Sequence, residues 1–306
     1  MSSAFAIAKA EVVSPLGQSP GEKLVKGLRV AALTNNDRDE VLAFLAARPI
    51  HTVCMVSYIR DNNIVSPLNR GFFFGCRNDA GQLKGVALIG HATLLETNDD
   101  DALQAFAALK HEYTNSHLVR GEHEMIKRFW QHYGEIGNEF RLARRELLYE
   151  ARIMPVLEDS APVLQRATIA DLDRIMTINA EMILSECGID PLKKDPVGFR
   201  ERLVRRVKQG RVWIWMQNGQ LIFKADVFAE TPEMLYVEGV YVDPFRRGQG
   251  HGVSCLAQLT RLLLLRSQAI CLLIDQRQSA LATFYGKVGF QLRGTYDTVY
   301  LKPETN

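Results

Sequence analysis

The chain has 306 residues, with 37 Lys and Arg against 35 Asp and Glu. That length suits two domains whose cores need no disulfide or structural metal. An apolar share of 47% and a charged share of 24% exclude a disordered polyelectrolyte. Charge is even along the chain, with 18 basic and 18 acidic side chains in residues 1–155 and 19 and 17 in residues 156–306, so nothing global calls for nucleic acid or an anionic membrane as partner.

Met1 to Val13 carries Lys9 and Glu11 and has no long apolar run, so it does not read as a secretory signal. The longest apolar run, near Gly85 to Leu95, is short of the roughly 18 residues of a membrane helix. Leu262 to Leu265, between Arg261 and Arg266, read as a helix fragment. A cytoplasmic location is the expectation. Cys54, Cys76, Cys187, Cys255 and Cys271 are odd in number, widely spaced and form no C-x-x-C, as expected for buried free thiols in a reducing compartment. His111, His117 and His123 recur every six residues, which puts them on no single helix face, so no metal site is expected.

The first predicted elements are a helix in "NNDRDEVLAFL", opened by Leu33-Thr34, and a strand–turn–strand over Gly71–Thr97 with its turn at Asn78-Asp79-Ala80-Gly81. The same order returns later. Ala167-Thr168 opens a helix in which Thr168 and Asp171 have capping-box spacing, followed by Leu172, Ile175, Met176, Met182 and Ile183 on helical spacing. Arg211–Thr231 is a second hairpin, turned at Asn218-Gly219. Both hairpins contain "GQL" and end in Glu-Thr. Thr34/Thr168 and Gln82/Gln220 give an internal period of 134 to 138 residues, which means tandem domains and not a solenoid. A boundary is expected near Met154–Pro162, where two prolines flank a polar stretch, giving domains at 1–155 and 160–306.

The second half reads β-α-α-β-β-β-α-β-α-β. Its predicted elements are strands at Val163–Arg166, Arg211–Met216, Leu221–Phe228, Leu235–Val242, Ala269–Asp275 and Gln291–Leu301, and helices at Asp171–Glu186, Phe199–Gln209, Gly252–Arg266 and Ser279–Val288.

The chemistry concentrates where Leu235–Val242 ends. Asp243-Pro244 stops the strand, and Arg247-Gly248-Gln249-Gly250-His251-Gly252 leads straight into a helix. Glycines allow positive φ and close approach, successive N–H groups converge, and the positive end of the helix dipole backs them. Arg246 and Arg247 add full charges, so a pyrophosphate is the natural occupant. A Walker loop would need Lys-Ser or Lys-Thr after the glycines, and a dinucleotide fingerprint would need G-x-G-x-x-G. Neither is present.

Arg247-x-x-Gly250-x-Gly252 resembles the R/Q-x-x-G-x-G/A acyl-CoA signature of the GCN5-related N-acetyltransferase (GNAT) family. The resemblance runs from about Pro162 to Pro303: "VYVDPFRR" is similar to the family's fourth strand and its exit, and "ICLLID" and "ATFYGKVGF" to its fifth strand and fourth helix. It implies an α/β (α+β) fold of two tandem GNAT-like domains, each a mixed, mostly antiparallel sheet flanked by helices. It implies direct attack of an amine on an acetyl-CoA thioester, with acetyl-CoA as co-substrate and no metal. Tyr241, Arg246, Arg247, Gly248, Gln249, Gly250, His251, Gly252, Gln278 and Phe284 are then the expected CoA contacts. The backbone at Val240 and Val242 would hold the pantetheine. Tyr285 stands where the family commonly has the acid for the leaving thiolate; packing under the sheet is its other reading. Many members carry an asparagine seven residues before that tyrosine, where this chain departs with the longer amide of Gln278.

Glu238 is the candidate base, since period-two alternation puts it on one face with Val240 and Val242. An ion pair with a nearby cation is its alternative role. Asp275 is a second candidate for the base, or a helix-capping or loop residue. Arg202, Arg205, Arg206 and Lys208 read as a solvated helix face, with a nucleic-acid contact as the other reading, and Trp213 and Trp215 as core, with a substrate wall as the other.

The first half lacks R-x-x-G-x-G, and Asp99 to Asp101 would repel a pyrophosphate, so a degenerate GNAT-like domain is expected there. The function expected is acetyl transfer to a primary amine by a monomer or homodimer, with no nucleic-acid or membrane partner. The alternative is a non-catalytic module that senses CoA or a small ligand.

Overall fold

The structure is a computed structural model describing residues 23–113, 116–134, 140–157 and 162–302. The segment Met1–Val13 and part of the expected boundary, residues 158–161, lie outside the described residues. The described residues divide into two compact units, one of Glu146–Gly294 and one that joins residues 23–145 with 295–302. This differs from the expected break at 155/160 in two ways: the residues from Glu146 on already belong to the second unit, and the greater part of the chain's last strand, from Thr295, belongs to the first.

In the first unit a Thr34/Asp37 capping box turns the chain from strands β1 (Lys23–Val25) and β2 (Leu28–Ala32) into helices α1 (Arg38–Leu45) and α2 (Pro49–Asn62). Strands β3 (Gly71–Arg77), β4 (Leu83–Gly90) and β5 (Ala92–Thr97) follow as an antiparallel meander. The predicted second arm of the hairpin is thus two strands. Helix α3 (Asp100–Lys110) crosses to β6 (Leu118–Glu122), which pairs with β5 in parallel. Helix α4 (His123–Gly134) comes next. α3 and α4 bury Phe106, Leu109, Ile126 and Phe129 against Val30, Phe74 and Ile89 of the sheet.

The second unit repeats this order. Its sheet runs from the end of β7 (Phe140–Ala151) through β12 (Ile270–Asp275), β11 (Leu235–Val242), β10 (Gln220–Glu230) and β9 (Val212–Gln217) to β8 (Gln165–Arg166). All neighbours are antiparallel except β11 and β12. One face carries α5 (Leu172–Cys187), a short α6 (Pro191–Lys194) and α7 (Pro196–Lys208), packed through Leu172, Ile175, Leu203 and Val207. The other carries α8 (His251–Leu264) and α9 (Ser279–Gly286), packed through Leu256, Leu259, Leu263 and Tyr285. The Thr168/Asp171 capping box has N-cap φ/ψ of −112° and 173°, against −110° and 173° at Thr34, so the same start of the fold is built twice.

Strand β13 (Gln291–Leu301) closes the first unit, where Tyr296–Tyr300 pair antiparallel with β6 and Val299 and Leu301 enter the core. Both tight turns form where Asn and Gly stand, with φ of +50° and +76° at Asn218 and Gly219 and +76° at Gly81. The five cysteines are free thiols, and burial pushes those of Cys76 and Cys255 up to about 12. Among the described residues no helix is long and apolar enough to cross a membrane, and no cluster of His, Cys, Asp and Glu could hold a metal ion.

Candidate active site

The second unit's parallel pair is short. β11 meets β12 only through Leu235↔Ile270 and Tyr236↔Cys271, so the register ends before the rest of β11. Beyond that point β11 itself is interrupted. Its pairing with β10 slips between Asp226↔Glu238 and Lys224↔Tyr241, and Gly239 takes φ of +60° there. This is a β-bulge with glycine in the left-handed position. It inserts one residue into the alternation and so corrects the expected face sharing. Val237 and Val240 both pack with α8, whereas Glu238 and Tyr241 turn toward α5 and α7.

A cavity of about 710 Å³ opens on the α8 side of β11. Val240 and Val242 form one wall. The loop after β11 supplies Arg246, Arg247, Gly248 and Gly250, and α8 supplies Gly252. The loop is built on Asp243, whose carboxylate accepts from the Phe245 N–H at 2.9 Å, while Arg247 Nε donates to the Val242 carbonyl at 3.2 Å. Gly250 is the N-cap of α8, with φ of +82° and no side-chain cap, so the helix start is left to whatever fills the cavity. A Cβ on Gly252 would lie 2.9 Å from Val242 Cγ2 and 3.1 Å from Phe284 Cε2, so only glycine lets α8 sit this close to β11 and α9.

Gln278, Phe284 and Tyr285 come from the opposite wall. Tyr285 is 2% exposed and packs edge-on against Phe284 and Phe290 at 5.0 and 5.8 Å between ring centroids. Burial first, then the charge of Glu186, push its phenol above the ordinary range. Ten of the expected residues thus meet at one cavity: Val240, Val242, Arg246, Arg247, Gly248, Gly250, Gly252, Gln278, Phe284 and Tyr285.

Four expected site residues lie off its lining. Tyr241 packs with the α5–α7 core. Gln249 Nε2 donates to the Phe245 carbonyl at 3.4 Å. His251 sets its ring edge-on to Trp215 at 5.0 Å. Glu238 is 4% exposed and accepts from Arg206 at 3.0 Å, so of its two expected roles the ion pair is the one observed. The carboxylate of Asp275, buried at the end of β12, accepts from the Arg277 N–H at 2.9 Å and from its guanidinium, which makes it a loop anchor.

Arg206 and Arg202 also correct the expected solvated face of α7, since Arg206 bonds Asp226 and Glu238 and Arg202 bonds Asp195. The residues missed were Val253, Ala280, Leu281, Thr283 and Lys287, which complete the lining. Ala280, Thr283, Phe284 and Lys287 have i, i+3, i+4, i+7 spacing, a one-face signal that was legible in α9.

Residues 208–292 match the family described as "Acetyltransferase (GNAT) domain". No curated protein matches the chain. Among solved structures, a GNAT-family acetyltransferase from Colwellia psychrerythraea is similar at a TM-score of 0.57 and 12% identity, over 89% of this chain and 99% of that one. A GCN5-related N-acetyltransferase from Sphaerobacter thermophilus is similar at a TM-score of 0.58 and 12% identity, over 91% and 96%. A tandem GNAT protein from the clavulanic acid biosynthesis pathway is similar at a TM-score of 0.53 and 13% identity, over 91% and 100%. Residues 208–292 therefore match a GNAT acetyltransferase domain, within a chain that has the fold of a tandem GNAT protein.

Proposed function

We propose that the second unit is an acetyl-CoA-dependent N-acetyltransferase acting on a primary amine. The observation that carries this is the uncapped, glycine-led start of α8, opening with Arg246 and Arg247 onto a cavity walled by β11 on one side and by Tyr285 on the other. The donor set fits a pyrophosphate: Gly248 and Gly250 take positive φ with nothing within 4 Å of a Cβ position, so the backbone there is open to a ligand.

In this reading Arg246, Arg247 and the amides from Gly248 to Gly252 hold the pyrophosphate of the co-substrate, and the edge of β11 at Val240 and Val242, beyond its pairing with β12, holds the pantetheine. The amine nitrogen, entering as the free base, bonds to the acetyl carbon, the carbon–sulfur bond breaks, Tyr285 gives its proton to the departing thiolate, and the proton that nitrogen sheds on becoming an amide leaves through water and restores the phenol. Burial keeps the phenol protonated, so the hydroxyl carries a proton for the thiolate at neutral pH. Glu238, held by Arg206, is not assigned as the base.

The first unit is proposed to lack a second CoA site. There the helix start is already filled: Asp99 caps α3 by accepting from Ala102 N–H at 3.1 Å, and Asp100 and Asp101 complete the first turn. Three carboxylates at that spot exclude a pyrophosphate.

The test is acetyl-CoA binding followed by thiol release with a panel of primary amines. Binding and amine-dependent release of free thiol are expected. Absence of any thermal shift at millimolar acetyl-CoA refutes the reading. Binding without thiol release from any amine supports the non-catalytic alternative.

A further inference from the structure

The bulge that aims β11 at the cavity is held from beneath by a buried cation. Lys224 on β10 is 0% exposed. Its ammonium donates to Asn179 Oδ1 at 2.6 Å, to Asp226 Oδ2 at 2.9 Å and to the Gly239 carbonyl at 3.1 Å, so its three hydrogens match three acceptors. Arg206 bonds both Asp226, at 3.2 Å, and Glu238, at 3.0 Å. Two cations and two carboxylates balance. A Cβ on Gly239 would stand 2.7 Å from Lys224 Nζ, so the ammonium is pressed against the bulge itself.

Burying a lysine and desolvating its charge is unfavourable unless its partners are well placed, and an apolar chain of the same length would pack there without that penalty. What an apolar chain cannot do is hold the Gly239 carbonyl. A bulge takes a residue out of regular pairing, and its backbone groups then need partners elsewhere.

We propose that Lys224 is a positioning residue for the acyl-CoA site: by holding the Gly239 carbonyl it fixes the bulge that turns Val240 and Val242 to the cavity and carries β11 beyond its short pairing with β12. Asn179 extends this hold to α5 and Arg206 to α7. The proposal rests on the acyl-CoA reading for its consequence, though not for the geometry.

Lys224→Met tests it, with Asn179→Ala as a second variant that keeps all four charges should the first fail to fold. Amide exchange in the 238–242 segment is expected to rise about tenfold or more in a folded variant, while the α8 and β12 segments keep their protection. Acetyl-CoA Kd is expected to rise about tenfold. Lys224→Arg, which keeps a cation at the bulge, is expected to recover part of both. Exchange at 238–242 that stays at the wild-type rate in Lys224→Met, or in Asn179→Ala where Lys224→Met does not fold, overturns the role of Lys224, whether or not wild type binds acetyl-CoA. Equal affinity of wild type and Lys224→Met overturns it too. Wild type that fails to bind acetyl-CoA overturns the functional reading instead.

Discussion

Tyr285 shows how much one residue's chemistry depends on its surroundings. A phenol with an ordinary value of 10.0 is pushed further up by its apolar shell and by Glu186. It therefore stays protonated through the neutral and mildly alkaline range. Tyr285→Phe removes the proton and little else, because the ring stays between Phe284 and Phe290. We expect kcat to fall about 10²-fold with acetyl-CoA affinity nearly unchanged. The pH profile gives the sign: a raised phenol contributes no loss of kcat as pH rises toward 10.0. An alkaline decline below that value, present in wild type and missing in the variant, would show a phenol that burial does not raise, whereas wild-type kcat in the variant would contradict the acid role. Gly250 gives a second case. At φ of +82° an added methyl meets nothing within 4 Å, so Gly250→Ala incurs only the left-handed penalty of about 1 kcal/mol in folding. It also puts a methyl at the helix start that the CoA must reach. Calorimetry should show a larger relative loss in acetyl-CoA affinity than in stability.

At the scale of elements, the two capping boxes are the most local piece of the fold, and they were visible as T-x-x-D. In the first unit Thr34 N–H and Oγ1 bond Asp37 at 2.7 and 2.8 Å. Burial raises the Asp37 carboxyl, but the bonds from Thr34 and Arg77 outweigh it and hold the group below its ordinary 3.8. A depressed carboxyl stabilises the fold above 3.8, and that contribution is lost as pH falls through the lower folded value. Asp37→Asn should therefore lower stability at pH 7 and converge with wild type in acid, as urea unfolding at several pH values would show. Thr168→Ala should weaken the matching start of α5 by about 1 kcal/mol. Local signals placed the other elements as well. Leu235–Val242 was read with its observed bounds, and Asn218-Gly219 with its turn. The error at Glu238 came from counting alternation through Gly239, although a lone glycine inside a strand pattern is itself a bulge signal. Nothing local could have turned Arg206 inward, because Asp226 and Glu238 lie 20 and 32 residues away.

For the whole molecule, the domain boundary was the least legible feature, because composition marks flexible stretches and not the partner a strand will choose. Pro155 and Pro162 lie outside helix and strand, yet the unit boundaries fall elsewhere, with residues 295–302 joined to residues 23–145. In the first unit, the last strand pairs Tyr296 with Glu122 and Tyr300 with Leu118. Arg120 Nε bonds Thr298 Oγ1 at 2.7 Å, His51 Nδ1 meets Tyr296 Oη at 2.7 Å, and His123 Nδ1 meets Asp297 Oδ2 at 2.6 Å. Val299 and Leu301 fill the core beside Val119 and Phe129. A chain ending at Gly294 keeps the whole second unit and removes one strand from the first. It should therefore lose exchange protection in β6 and α4, leave Val119 uncovered, and retain acetyl-CoA binding within a few-fold. A peptide of residues 291–302 added in trans should restore protection in β6. If the shortened chain instead keeps full protection at Leu118–Glu122, the last strand is dispensable to the first unit. If it loses acetyl-CoA binding outright, the site needs more than the residues of Glu146–Gly294.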